Sequence, residues 1–343
     1  MTHNRQILLV SRPTGEVSHD DFQLVAAAIP ELADGQVLVR HHYLSLDPYM
    51  RGRMNAGESY AEPQALGEVM IGGTVGEIVA SRSDRYRVGE QVVGMGGWQE
   101  YQIVDGERAG ALRRVDGTQI PLSAYLGAVG MPGVTAWYGL LQLIAPQSGE
   151  TIVVSAASGA VGSVVGQLAR LRGCRVVGIA GGAQKCRAVV EEFGFDACID
   201  HRLHGDTRSL AAAIAEACPD GVDGHFENVG GRILDALMQR CNPFARIAIC
   251  GLIAGYDGQP IPIGEAQLIL VRRLKLQGFI VSEHLEFWPQ ALHELGGLVA
   301  TGRLRYRESI ALGIESAPAA FIGLLHGQNF GKQLVRLSVQ PTT

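Results

Sequence analysis

The residues Ala157-Ser158-Gly159-Ala160-Val161-Gly162 lie between a β-branched run, Ile152-Val153-Val154, and a helix-compatible stretch from Gly162 to Leu171, after which Arg175-Val176-Val177 resumes strand character. Strand, glycine turn, helix and second strand in that order form a seat for a pyrophosphate. Gly159 lets the backbone approach the phosphates, Gly162 lets the helix pack closely on the strand, and the N–H groups of the helix start hold the anion. Ala157 stands where the usual fingerprint has its first glycine. The flanking elements turn a weak three-position pattern into an expectation of a dinucleotide cofactor.

The end of the second strand bears on which dinucleotide. Folds of this kind that select NAD carry Asp or Glu there, bonded to the ribose 2′-hydroxyl. This chain reads Ala180-Gly181-Gly182-Ala183, with Lys185 within one helical turn and Arg187 two residues further. No carboxylate at that position repels a 2′-phosphate, Gly182 permits a short approach, and the Lys185 charge suits the extra phosphate of NADPH. A solvated Lys185 at a helix start is the alternative. Tyr256 follows the fifth strand in Cys250-Gly251-Leu252-Ile253-Ala254-Gly255-Tyr256, at the carboxyl edge where open α/β sheets bind ligands. A phenol keeps its proton near neutral pH and can donate it. Asn228 ends the fourth strand after Glu227, where its amide suits a cofactor ribose or serves as a strand-end turn residue.

These residues need two kinds of scaffold. From about residue 5 to 120 the chain is strand-rich, with Gln36 to Arg40, Gly72 to Val79 and Gln91 to Gly94 separated by Gly, Asp and Pro turn signals. From about 124 strands alternate with helices, which predicts a doubly wound parallel sheet of six strands: Thr151 to Val154, Arg175 to Ile179, Ala197 to Ile199, Gly224 to Glu227, Arg246 to Cys250 and Leu276 to Val281. Helices are expected at Gly162 to Arg172, Gln184 to Phe193, Leu210 to Cys218 and Gly231 to Gln239. The alternating run Phe330 to Leu337 has no room in a completed six-stranded sheet and is expected to return to the first domain. The fold class is therefore α/β, with domains at 1–123 and 124–306 and a C-terminal return over 307–343. No low-complexity linker separates them, so a cleft between coupled domains is expected, a common place for a small-molecule site.

Composition narrows the class. Of 343 residues 47% are hydrophobic and 18% charged, and the net charge of −5 with scattered Lys and Arg argues against a nucleic-acid partner. The apolar run Ile7 to Val10 is too short for a signal-peptide core, and the uncharged stretch from Thr151 to Ala169 is broken by Gly and Ser, so a cytoplasmic protein with no membrane partner is expected. Six dispersed cysteines and ten histidines show no metal-ligand spacing. Gly278-Phe279-Ile280-Val281 reads as an edge strand, and pairing it across a two-fold axis predicts a homodimer.

Taken with this plan, Leu44-Ser45-Leu46-Asp47-Pro48-Tyr49-Met50-Arg51-Gly52-Arg53-Met54 resembles the signature of the zinc-independent leukotriene B4 dehydrogenase, or prostaglandin reductase, branch of the medium-chain dehydrogenase/reductases. Gly178 to Gly182, Phe226 to Gly231, Asn242 to Ile247, Phe321 to Leu325 and Asn329 to Lys332 are similar to segments of the same branch, as in bacterial NADPH-dependent curcumin reductases and 2-alkenal reductases. The resemblance implies a GroES-like mostly-β domain beside a Rossmann domain. It implies NADPH as cofactor, held by Ala160, Val161, Gly162, Ser163, Lys185, Asn228, Cys250, Gly251, Leu252, Tyr256, Phe279, Ile280, Val281 and Asn329. Many members place a Tyr near the adenosine phosphate where this chain has Asp200-His201-Arg202. His201 can donate a hydrogen bond there, and Arg202 supplements the charge. Zinc-dependent relatives use a Cys before an Asp, a Gly-His-Glu segment and a four-cysteine lobe. This chain has Ser45-Leu46-Asp47 and Leu66-Gly67-Glu68 and lacks the lobe, so no metal is expected.

The activity the resemblance implies is reduction of a carbon–carbon double bond conjugated to a carbonyl, as in enones, alkenals, curcuminoids or 15-oxo lipids. Hydride addition at the β-carbon puts negative charge on the carbonyl oxygen, which calls for preorganised donors. Tyr256 is the candidate oxygen ligand or proton donor and Tyr49 its partner or a substrate-orienting wall, and the two roles are interchangeable on the sequence. Rival readings are a quinone reductase or a carbonyl/alcohol oxidoreductase on the same fold, and a non-catalytic NADPH-binding protein.

Overall fold

Period-two patterns build the first of two units, which comprises residues 1–127 and 308–343. The computed structural model describes residues 3–57 and 59–337. Strands β1 (His3–Leu9) and β2 (Phe22–Ala28) form an antiparallel pair. Then β3 (Gln36–Ser45) runs five residues beyond the stretch expected to be strand, and helix α1 (Tyr49–Arg53) follows it. Two register shifts against β4 (Thr74–Ser81) explain the unexpected part of β3: alternation breaks there, and adjacent His41 and His42 are both buried. The strands β5 (Gln91–Gly94), β6 (Tyr101–Asp105) and β7 (Leu112–Arg114) complete this part of the sheet. Its apolar face gathers Val37, Val39, Ile78, Tyr86, Val92 and Leu112. A second cluster places Phe22 in a stack on Trp98, ring centroids 5.2 Å apart.

The second unit, residues 128–307, begins with α2 (Met131–Tyr138) and holds one six-stranded parallel sheet. Its elements in chain order are β8 (Thr151–Ser155), α3 (Gly162–Leu171), β9 (Arg175–Ala180), α4 (Ala183–Glu191), β10 (Ala197–Asp200), α5 (Thr207–Ala217), β11 (Val222–Glu227), α6 (Arg232–Met238), β12 (Cys241–Ile249), α7 (Gln267–Val271), β13 (Lys275–Gly278) and α8 (Trp288–Ala300). The sheet order β10-β9-β8-β11-β12-β13 is the doubly wound arrangement, with its switch point between β8 and β11. Both faces of the central strands are covered, so they read as unbroken apolar runs; all five residues of β8 are buried.

The last strand is shorter than expected. It ends at Gly278 and does not continue to Val281. Phe279 leaves the edge to pack edge-on against Phe226, centroids 6.2 Å apart, and the Trp288 indole donates to the Val281 carbonyl at 3.1 Å. The segment Gly278-Phe279-Ile280-Val281 is thus not the sheet edge; Lys275–Gly278 is. The chain then returns to the first unit with β14 (Glu308–Leu312), α9 (Ala317–Leu325) and β15 (Lys332–Arg336), and β15 lies between β14 and β3. Among the described residues no helix is long and apolar enough to cross a membrane.

Candidate active site

The pyrophosphate seat forms at the carboxyl end of β8. Ala156 takes a left-handed conformation, φ 48°, and Gly159 donates back to its carbonyl at 2.9 Å, which turns the chain sharply into α3. A Cβ at Gly162 would stand 2.4 Å from that carbonyl oxygen, so only glycine fits. The first helical bond runs from the Ser163 amide to the Gly159 carbonyl at 3.1 Å. The amides of Ala160, Val161 and Gly162 therefore lie ahead of the helical ladder, where an anion can take them. Gly159, Ala160 and Val161 are half-buried while Gly162 and Ser163 are buried, so the turn's tip is the accessible part. Ala157, at the first fingerprint position, is fully buried, and a Cβ at Gly178 would come within 2.8 Å of its methyl group.

A cationic cluster stands at the ends of β9 and β10. Gly182, φ 99°, caps α4, and its amide donates to Asp200 Oδ1 at 2.8 Å; the same oxygen accepts from the Arg202 amide at 3.0 Å. Those amides hold the Asp200 carboxyl below its usual range against the burial that would raise it. Burial and the Arg202 charge lower the Lys185 ammonium, and burial, Arg232, Arg202 and Lys185 lower His201. Arg202 Nε and His201 Nε2 each stand 3.0 Å from where a Cβ at Gly181 would be, and the Arg232 guanidinium donates to the His201 carbonyl at 3.4 Å, so these groups gather with Lys185 in one electropositive patch beside the Gly181-Gly182 turn. Asp200 brings a carboxylate to the Gly182 turn from the end of β10, not from the second strand itself. Its Asx-type turn into His201-Arg202 was the available signal. The patch carries three full cations to that one carboxylate, and its donor set suits a phosphate monoester.

Asn228 lies across the switch point from the turn. Its backbone amide donates to Ser155 Oγ at 2.7 Å and its side-chain amide to the Ser155 carbonyl at 2.8 Å. The side chain is thereby tied to β8 as well as available at the strand end. Behind it, Glu227 is fully buried and accepts from Ser155 Oγ at 2.6 Å, from the amides of Val229 and Gly230, and pairs with His225 Nε2 at 2.9 Å. Ser155, His225 and Glu227 carry no shared sequence signal as a unit, because their grouping depends on β8 and β11 being neighbours.

After β12, the amides of Cys250 and Gly251 donate to the Glu227 carbonyl at 2.9 and 3.2 Å. Burial, with the Glu227 charge, pushes the Cys250 thiol up to about 12, so it is an inert neutral group. Leu252 leads into a single turn, Ile253–Gly255, that presents half-buried Tyr256. The Tyr256 hydroxyl lies over Gly251, 3.6 Å from where a Cβ would be. Phe279 and Ile280 are half-buried after β13 and Val281 is buried.

In the first unit, Asp47 is buried and accepts from Ser45 Oγ and from the Lys332 ammonium; Lys332 also donates to the Leu46 carbonyl at 2.8 Å. Tyr49 opens α1 two residues later and is half-buried. Burial first, then the Asp47 charge and Tyr60, raise its phenol well above the ordinary value, so the hydroxyl stays a donor. Asn329, also in this unit, spends its amide on the Gly331 carbonyl at 2.7 Å.

Comparisons with known proteins agree with this architecture. Residues 5–112 match a family model described as the N-terminal domain of oxidoreductase, and residues 160–296 one described as zinc-binding dehydrogenase. The chain is 45% identical to the NADPH-dependent curcumin reductase of Escherichia coli (strain K12), covering 98% of this chain and 97% of that protein. It is 39% identical to prostaglandin reductase 1 of Bos taurus, covering 98% and 100%. The crystal structure of CurA in complex with NADPH from Vibrio vulnificus superposes with a TM-score of 0.91 at 46% identity, covering 98% of this chain and 100% of that one. A zinc ion does not fit the residues present: the Asp47 carboxylate already holds an ammonium, Ser45 stands where a thiolate would be needed, and among the described residues no three His, Cys, Asp or Glu side chains are grouped to hold a metal.

Proposed function

The chain belongs to the medium-chain dehydrogenase/reductase superfamily, in the branch of the curcumin and prostaglandin reductases, and from that membership we propose that it reduces the carbon–carbon double bond of α,β-unsaturated ketones or aldehydes with NADPH. The observation that carries the reading is the end-to-end match, at 45% identity, to a protein named for NADPH-dependent curcumin reduction. Curcuminoids, alkenals and 15-oxo lipids share one reacting unit, an alkene conjugated to a carbonyl.

The proposed contacts divide the cofactor part by part. The Ala160, Val161 and Gly162 amides, with Gly159 and Ser163, hold the pyrophosphate. Lys185, His201 and Arg202 beside Gly182 hold the 2′-phosphate, with no carboxylate at the NAD-selecting position. From the resemblance to the branch, Asn228, Cys250, Gly251, Leu252, Phe279, Ile280, Val281 and Asn329 are the proposed contacts to the remainder. When bound, NADPH supplies the hydride for the β-carbon. The chain's own part is to stabilise the charge that reaches the carbonyl oxygen and to control the proton at the α-carbon. Tyr256 is the proposed donor to that oxygen, and Tyr49, kept protonated by burial and Asp47, is its partner. Each such donor is worth about 2.7–4 kcal/mol in comparable sites. The proposed assembly is a homodimer, with the exposed Lys275–Gly278 edge as its candidate seam.

The test is NADPH oxidation over a panel of alkenals, linear enones, curcuminoids, 15-oxo lipids and quinones, with products identified. Saturated ketones or aldehydes support the reading. Allylic alcohols or hydroquinones as the main products would replace it with carbonyl or quinone reduction, and binding without turnover would replace it with a non-catalytic role.

A further inference from the structure

Cys186 lies early in α4 and Cys198 in β10, and their sulfur atoms are 2.9 Å apart. A disulfide needs about 2.05 Å, so the pair closes with less than about 1 Å of sulfur movement. Both residues are half-buried, which leaves a small oxidant access. Cys174, Cys218 and Cys241 are buried, and burial raises all three thiols. Cys186 differs. Its hydrogen bond with Cys198 favours the thiolate at Cys186 and keeps the proton on Cys198.

We propose that Cys186 and Cys198 form a two-thiol redox site that hydroperoxides convert to a disulfide, and that the bridge weakens NADPH binding. The Cys186 thiolate attacks the peroxide oxygen; the O–O bond breaks, leaving a sulfenic acid on Cys186 and releasing hydroxide, or an alcohol from an organic peroxide. The Cys198 thiol then attacks the Cys186 sulfur, and the hydroxyl leaves as water with the Cys198 proton. Two thiols and one hydrogen peroxide give one disulfide and two waters. A dithiol reverses the step by taking up the bridge in its own oxidation.

The bridge acts on the cofactor seat through its neighbours. Lys185 directly precedes Cys186, and Asp200, whose carboxylate fixes the amides of Gly182 and Arg202, lies two residues past Cys198. Pulling the sulfurs together shifts the start of α4, which carries Lys185, against the end of β10, which leads into His201 and Arg202. Bridge formation rests on the sulfur geometry alone; its effect on the cofactor rests on the proposed placement of Lys185 at the 2′-phosphate.

The experiment treats the full chain with stoichiometric hydrogen peroxide and reads intact mass, peptide maps and kinetics. The expected result is loss of two hydrogens, a Cys186–Cys198 linkage, and a KM for NADPH raised about three-fold or more at little-changed kcat. Dithiothreitol should restore the KM, and Cys186→Ser and Cys198→Ser should keep the untreated KM after peroxide. Oxygen adducts without a bridge, or a first bridge elsewhere, overturn the redox site. A bridge with unchanged KM overturns the coupling. If Lys185→Ala also leaves KM unchanged, the failure belongs to the placement of Lys185 and the thiol chemistry stands.

Discussion

Two buried charge networks, one in each unit, sit just ahead of the side chains proposed to work on cofactor and substrate, and they are assembled in opposite ways. Glu227, before Asn228, draws its partners from β8, 72 positions earlier, and from β11 and the turn that follows, all within the second unit. Asp47, two residues before Tyr49, depends on Lys332, 285 positions away on β15, the returning strand that pairs with β3. The network behind Asn228 is thus complete within the second unit. The Tyr49 region is complete only once the tail has returned.

The largest effect should come from breaking the distant pair. Lys332→Ala leaves Asp47 buried without its cation and should cost about 3–5 kcal/mol of stability in urea unfolding, with Lys332→Met plus Asp47→Leu recovering much of it. Glu227→Gln keeps an oxygen for Ser155 and the turn amides and should cost less, about 1–3 kcal/mol. Equal losses would erase the distinction between the networks. Next in size is catalysis: Tyr256→Phe should lower kcat on a small enone by about a hundred- to a thousand-fold, as for a lost oxyanion donor. Near-native kcat in both Tyr256→Phe and Tyr49→Phe would remove the tyrosines from the chemistry.

Acid should separate the two units. Burial lowers His41 to about 4, despite its bond to the Gln99 carbonyl, so the unfolded chain binds a proton there that the folded chain refuses. Stability from this residue is full above pH 6.5 and drains as pH falls toward 4, on the order of 3 kcal/mol. Glu227 is held below its ordinary value by His225, Ser155 and the Val229 amide, against burial, so its contribution is intact down to about pH 4.3 and is lost below. Hydrogen exchange at pH 5 should therefore show β3 losing protection before β8 and β11, and His41→Gln should abolish the difference.

The same contrast explains what was legible in the sequence. Ala157 to Gly162 and the Gly181-Gly182 turn are contiguous, and their backbone requirements show in residue type alone; the six parallel strands followed from the strand–helix alternation. His41-His42 in β3 and the early end of β13 were not legible. The first depends on bulges against β4, the second on Phe279 finding Phe226 across the sheet. Asp200 beside Gly182 was hidden for a similar reason, since it reaches the turn from the neighbouring strand. The smallest predicted change sits at this legible end: Lys185→Ala should raise the KM for NADPH about ten-fold or more, as for a lost contact of about 1.5–3 kcal/mol. An unchanged KM would move the phosphate contact to Arg202 and His201.

The proposed activity requires that hydride go to the alkene. Turnover of a simple enone with NADPH deuterated at the transferred position, followed by mass spectrometry and NMR of the product, tests it directly. The expected product is a saturated ketone with deuterium on the former β-carbon; deuterium on the carbinol carbon of an allylic alcohol would overturn alkene reduction.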